Sequence, residues 1–431
     1  MRKKVSYHIA NIELFTNKII QWAAGFKDSA IYKGKVDKLQ GMYLDSDLIV
    51  GVDAISSISV DKHCFEALTN FVQAKKDWLF GYLSYDLNQE LFNIKAKSDD
   101  IGFNKLHFFQ PKWVFEVKNH ELNIYFSKDI DVKDIDKVIN EIESISLNED
   151  KTLGQVNIKQ RISKESYKKT FDVLKSHIVR GDIYEVNYCK EFFAQNTIVN
   201  PLNLFNDLYE LSEAPFSAFF KQYDKYIICS SPERYLRKID DVVISQPIKG
   251  TRKRVSSFEE DEVLKKELLH CPKERSENVM IVDLVRNDLS KTAQKSSVKV
   301  EELFGIYSFK QVHQMISTIT SKLKLEIDPI DVIKTTFPMG SMTGAPKLSA
   351  MRLIEKYEFR NRGVYSGSLG YIKPNGDFDF NVIIRSMVYN STTKYLSYSV
   401  GSAITAQANA EEEYQECLLK SQAFFKVLNA T

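Results

Sequence analysis

The apolar positions divide the chain into two patterns. Up to about residue 145, short strand-like runs prevail: WLFGYLSY at 78–85, then WVFEV at 113–117 and LNIYF at 122–126. The last two are separated by Lys118-Asn119-His120-Glu121, as a hairpin would be. Further along, helical periodicity alternates with strands. The strongest helical patterns cover 164–181 (closing on Gly181), 274–290, 347–358 and 410–428. In the last, Tyr414, Cys417, Leu418, Phe424 and Leu428 mark one face, and Asn409 with Glu412 makes a capping-box-like start. Strands are expected over 226–231 (YIICSS), 241–248 (DVVISQPI), 365–372 (YSGSLGYI), 380–389 (FNVIIRSMVY) and 395–405 (YLSYSVGSAIT). The polar stretch 146–157, SLNEDKTLGQVN, reads as a linker between an amino-terminal part, 1–150, and a second part, 155–431. This mixture predicts an α/β fold with mostly antiparallel sheets packed between helices, in an order that periodicity does not set.

Composition narrows the classes. Apolar residues make up 43% and charged residues 27%, ordinary values for a globular protein and not for a disordered one. A net charge of +2 gives no general basic field of the kind a nucleic-acid binder shows, so any anion is captured locally. The five cysteines are scattered, without a C-x-x-C pair, and read as reduced thiols. Arg2, Lys3 and Lys4 resemble a signal-peptide start, but His8, Asn11 and Glu13 interrupt the apolar stretch it needs. No run reaches the length of a membrane span. The expectation is a cytoplasmic protein without nucleic-acid or membrane partners.

Candidate chemistry clusters at strand and helix ends. Lys249 lies between Ile248 and Gly250 at a strand end, and Glu233 follows Pro232 in a turn, so an acid and an amine could share one site. Taken singly, each is ordinarily a solvated charge. Glu274 and Glu277 share a helix face near its start. They either stabilise that terminus or supply a Mg²⁺ ligand, since octahedral Mg²⁺ takes one or two carboxylates with water and substrate oxygens. Glu416 and Lys420, four apart, read either as a plain helix salt bridge or as part of such a site. The run FPMGSMTGAPK at 337–347 is not a phosphate-binding loop, because Ala345-Pro346 intervenes between Gly344 and Lys347. It reads as a tight turn entering a helix, with free amides for an anion or with a structural role alone. Gly401, Ser402 and Ala403 suit close approach of backbone amides to a carboxylate. Arg385, a lone cation among apolar neighbours, calls for an acidic partner. His313 is an oriented donor or a structural histidine.

Together, SPERYL, PIKGTR, KERSENVMIVDLVRNDL, VHQMIS, FPMGSMTGAPK, RGVYSGSLGYI, IIRS and EYQECLLK stand in the order seen in the chorismate-utilising enzyme family, which includes anthranilate, aminodeoxychorismate, isochorismate and salicylate synthases. The chain resembles that family over nearly all of 155–431, while GYLSYDL (81–87) and YLDS (43–46) resemble its more variable amino-terminal part. The resemblance implies a two-subdomain α/β sandwich, with two large antiparallel sheets inside and helices outside. It implies Mg²⁺ held by Glu277 and Glu416, with Glu274 nearby through water, bridging to the ring carboxylate of chorismate. Arg385 and Tyr371 would meet the enolpyruvyl carboxylate, assisted by amides from Gly401 to Ala403. Lys420 would lie near the magnesium, His313 near the ring, and Gly250 and Thr251 in the substrate-binding set.

Lys249 selects the branch. Anthranilate and isochorismate synthases resembling this chain typically carry Ala there, and aminodeoxychorismate synthases carry Lys. The resemblance thus implies a transferase making 4-amino-4-deoxychorismate on the way to p-aminobenzoate and folate. An uncharged Lys249 would add to C2 of the ring while Glu233 protonates the departing C4 hydroxyl, and ammonia would then take C4. Such a lysine needs desolvation or a neighbouring cation, for which Lys347 and Arg252 are candidates. No cysteine has a glutaminase nucleophile setting, so ammonia is expected from solution or from a separate glutaminase subunit in a heterodimer. Anthranilate synthase component I is disfavoured by Lys249 and by a weak tryptophan-feedback motif near Tyr43 to Ser46. A non-catalytic chorismate-binding protein is disfavoured by the intact Glu233, Lys249, Glu277 and Glu416. The chain departs from the family's habit at Glu185, commonly Gln, at Tyr188-Cys189, commonly Leu-Ser, and at Asn278, commonly His.

Overall fold

Asn119 and His120, both at positive φ (49° and 66°), turn the chain between the strands Leu106–Lys118 and Glu121–Phe126, the two-residue turn whose twist suits a hairpin. The predicted hairpin is therefore present. This computed structural model describes residues 2–34, 46–95, 97, 99–147 and 156–429. Most of the linker read at 146–157 and of the YLDS run at 43–46 lies outside the described residues.

The strand Leu48–Val60 pairs along its length with Leu106–Lys118, and the sheet runs from this central pair in two directions. One limb passes through Asp28–Lys33, Phe216–Gln222, Lys225–Ser231, Ser386–Asn390 and Tyr395–Ile404 to Glu185–Ala194. The other passes through Leu79–Leu83, Ser368–Ile372, Phe378–Asn381, Arg234–Ile239 and Val242–Gln246 to Val312–Lys322, which also pairs with Ile248–Lys253 and Lys299–Ser308. All these pairings are antiparallel. The limbs face each other across an apolar layer that includes Ala30, Phe220, Ile227 and Phe193 from one and Phe80, Leu369 and Tyr371 from the other. Helices Lys164–Val179, Pro201–Ser212 and Ala410–Val427 cover the outer face of the first limb. Cys64–Lys75, Pro272–Ser290 and Pro329–Thr336 cover the second. The chain is thus the expected sandwich with helices outside, its two inner layers being limbs of one continuous antiparallel sheet in place of two separate ones.

The four helices read from periodicity are present within two residues of their expected ends, and the Asn409 side chain accepts hydrogen bonds from the amides of Glu411 and Glu412. Two expected strands are broken. Pro247 has no N–H to give, and it divides 241–248 into Val242–Gln246 and the start of Ile248–Lys253. The apolar run 380–389 is divided into Phe378–Asn381 and Ser386–Asn390, because the chain crosses there from one limb to the other. Among the described residues, no helix is long and apolar enough to cross a membrane.

Candidate active site

A cavity of about 750 Å³ lies between the ends of the two limbs. It falls within the size range of small-molecule sites. Strand Ile248–Lys253, the end of Tyr395–Ile404, and the helices Pro272–Ser290 and Ala410–Val427 supply most of its wall.

Lys249 enters from an irregularity. Ile248 pairs with Ile316 and Thr251 with Gln314, with a register shift between them, so Lys249 and Gly250 form a bulge instead of the strand end expected. A bulge re-aims side chains, and Gly250 holds it at φ +96°, a conformation that disfavours a side chain. The Lys249 ammonium ion-pairs with the buried carboxylate of Glu185. Burial alone would lower its pKa, but Glu185, Glu277 and Glu233 together hold it above the ordinary lysine value. The cations considered as its activators are engaged elsewhere: Lys347 pairs with Asp288, and Arg252 lies 3.1 Å from Glu274. The surroundings of Lys249 are therefore acidic, contrary to expectation.

Glu233 lies between the strands Lys225–Ser231 and Arg234–Ile239, and its carbonyl accepts the amide of Val382 at 3.0 Å. It faces the same cavity, and burial pushes its carboxyl up to about 7 against the pull of Lys249. A carboxylic acid with that value is half protonated at neutral pH and can donate a proton.

Glu274, Glu277 and Glu416 all line the cavity. Oε1 of Glu277 is buried without a hydrogen-bond partner, and burial raises this carboxyl to about 7. Glu416 lies 2.6 Å from Lys420, whose Nζ also donates to the Gly401 carbonyl at 2.8 Å. No three His, Cys, Asp or Glu side chains among the described residues already form a metal cluster. The donor set nevertheless fits Mg²⁺, which needs only one or two carboxylates beside water and substrate oxygens, and the orphaned Glu277 oxygen is the kind of group a cation would satisfy. Arg385 stands at φ +52° in the crossing segment, outside any strand, with its guanidinium toward the cavity and one N–H 3.4 Å from the Lys420 carbonyl.

Gly250, Thr251, Gly401 and Ala403 line the cavity as expected. A Cβ on Gly401 would stand 2.7 Å from Asn187 Oδ1 and 2.8 Å from Cys189 Sγ. Strand Ser386–Asn390 pairs with Tyr395–Ile404 only as far as Tyr398, and Ser399 to Gly401 line the cavity beyond that point. The Ser402 side chain points away from it, sharing a hydrogen bond of 2.8 Å with Tyr167.

Two more expected residues lie elsewhere. Tyr371 alternates into the apolar layer between the limbs, against Tyr32, Trp78 and Phe80, and does not reach the cavity. Tyr365 of the same RGVYSGSLGYI run lines the cavity with Arg385 instead. His313 is also outside the lining: its ring is buried, with Nδ1 at 2.8 Å from Ser308 Oγ and Nε2 at 3.1 Å from Asp261. It braces the wall behind Arg252, its partner across the pairing. Sequence reasoning also missed Glu413, buried against Lys273, and Gln314, both lining the cavity. Asn278 is wholly buried, and its Oδ1 accepts from Ser317 Oγ at 2.6 Å.

Residues 31–426 match the family described as chorismate binding enzyme. An aminodeoxychorismate synthase from Streptomyces griseus is 38% identical over 281 residues, 64% of this chain. The match spans 38% of that relative's length, well under two thirds. Aminodeoxychorismate synthase component 1 of Bacillus subtilis is 30% identical over 360 residues, 81% of this chain and 76% of the relative. Among solved structures, anthranilate synthase component I of Streptococcus pneumoniae superposes with a TM-score of 0.78 at 25% identity, covering 90% of this chain and 95% of that one.

Proposed function

This chain belongs to the family of chorismate-binding enzymes, and from that premise we propose that it aminates chorismate at C4, yielding 4-amino-4-deoxychorismate for p-aminobenzoate and folate synthesis. The observation that carries the reading is the half-buried bulge that aims Lys249 into the cavity shared with Glu233, an acid raised to about 7. Relatives named for this activity support it. Lys249 adds to C2 as Glu233 gives its proton to the C4 hydroxyl. Ammonia then bonds to C4, the C2–Nζ bond breaks, and Glu233 takes a proton back from the new amine. Arg385 and Tyr365 hold the enolpyruvyl carboxylate, with amides around Gly401 assisting. Mg²⁺ on Glu277 and Glu416, with Glu274 through water, would neutralise the ring carboxylate. Ammonia comes from a separate glutaminase component, and the enzyme works in the cytoplasm.

Purified protein incubated with chorismate, Mg²⁺ and an ammonium salt should give aminodeoxychorismate as the main product on chromatography. Anthranilate or isochorismate as the main product would overturn the reading. Activity should vanish in a chelator and return with added Mg²⁺.

A further inference from the structure

Glu185 lies against the residue on which the proposed reaction turns. It opens the strand Glu185–Ala194, and its side chain is 2% exposed. Its backbone is fixed by pairing with Ala345, and Gly344 beside it has no Cβ to collide with the Glu185 carbonyl. Oε1 contacts Lys249 Nζ, and Oε2 is buried without a partner. The other carboxylates whose charges act on Lys249 are Glu277, on the helix packed against the bulge, then Glu233, and Glu416 from the last helix. Among the described residues, Glu185 alone of these makes an ion pair with it.

We propose that Glu185 is the base that takes the proton from Lys249 as the amine attacks, which rests on the reading of Lys249 as nucleophile. A neutral glutamine amide could not accept that proton. Transfer along the Nζ–H···Oε1 contact turns an ion pair into two neutral groups, a step whose cost burial lowers because no separated charge is left in the low-dielectric site. The Nζ–C2 bond then forms, the two ring double bonds shift, and the C4–O bond breaks, with water leaving on the proton from Glu233. When ammonia has bonded to C4 and the C2–Nζ bond has broken, the Glu185 carboxyl returns its proton to the amine. The pair ends as it began, and the net reaction is chorismate plus ammonia to aminodeoxychorismate plus water.

The test compares kcat and KM against pH for the wild type, Glu185→Gln and Glu185→Asp, with chorismate, Mg²⁺ and ammonium. In the wild type the proton moves inside the pair, so kcat should be flat between about pH 5 and 6, below the range in which Glu233 loses its proton. In Glu185→Gln the proton must go to solvent: kcat at pH 7 should fall on the order of 100-fold and climb roughly tenfold per pH unit, with KM for chorismate little changed. A kcat at or above wild type, with an unchanged pH profile, would overturn the assignment. Should Glu185→Gln not bind chorismate, Glu185→Asp decides: the retained carboxylate should keep the flat profile at reduced kcat, and a tenfold-per-unit slope there would overturn the assignment. Absence of aminodeoxychorismate from the wild type itself would count against the proposed reaction, not against the role of Glu185 within it.

Discussion

Glu233 carries the pH behaviour most directly. Its folded pKa of about 7 lies above the ordinary carboxyl value because of burial, so the protonated form is the one folding favours. The stability it contributes is full below the unfolded value near 4.5 and is lost as pH rises through about 7. Across that window Glu233 should remove at most about 3 kcal/mol, and Glu233→Gln, which never ionises, should reduce the fall seen by denaturant unfolding while leaving the share that Glu277 contributes over the same window. In the proposed reaction this is the proton given to the C4 hydroxyl: kcat should decline above about pH 7, and Glu233→Gln should lower it 10²- to 10⁴-fold with little change in chorismate affinity. The chemical identities of Glu233, Lys249, Glu277 and Glu416 were legible once the motif order was recognised, and the cavity brings all four together. The choice between Tyr365 and Tyr371 was not. Both lie in one run, and only the start of strand Ser368–Ile372 and its alternation fix which tyrosine faces the cavity. Nor could the sequence supply the Glu185–Lys249 ion pair, whose members are 64 residues apart and meet only when two limbs of the sheet converge.

Among the elements, the bulge in Ile248–Lys253 matters most. A β-carbon at Gly250 would approach Leu268 Cδ1 at 3.1 Å and Glu274 at 3.2 Å, in a conformation that side chains rarely adopt. Gly250→Ala should therefore cost about 1–3 kcal/mol, read as a lower urea midpoint, and should lower kcat by turning Lys249 from its site. Apolar alternation found the strands on either side of this region but not its breaks. A proline ends one strand at Gln246, and a crossing segment ends another at Asn381 although its residues remain apolar. Burial, not strand pairing, keeps Val382 and Ile383 apolar there.

At the scale of the whole molecule, the aromatic core and the cavity occupy different layers. Phe80 is fully buried in the aromatic group between the limbs, stacked near Trp78 with ring centroids 5.9 Å apart, and lies outside the cavity wall. Phe80→Ala should cost about 3–5 kcal/mol in denaturant unfolding while leaving kcat at 25 °C within about twofold. The sandwich class was readable from the alternation of helices and strands, whereas the path of the sheet was not, because nothing local dictates that Leu106–Lys118 should serve both limbs. The proposed reaction is defined by where nitrogen enters the chorismate ring. Turnover with ¹⁵N-labelled ammonium and Mg²⁺, followed by NMR of the product, decides this: ¹⁵N bonded to C4, para to the ring carboxylate, is expected, and ¹⁵N at C2 would overturn C4 amination.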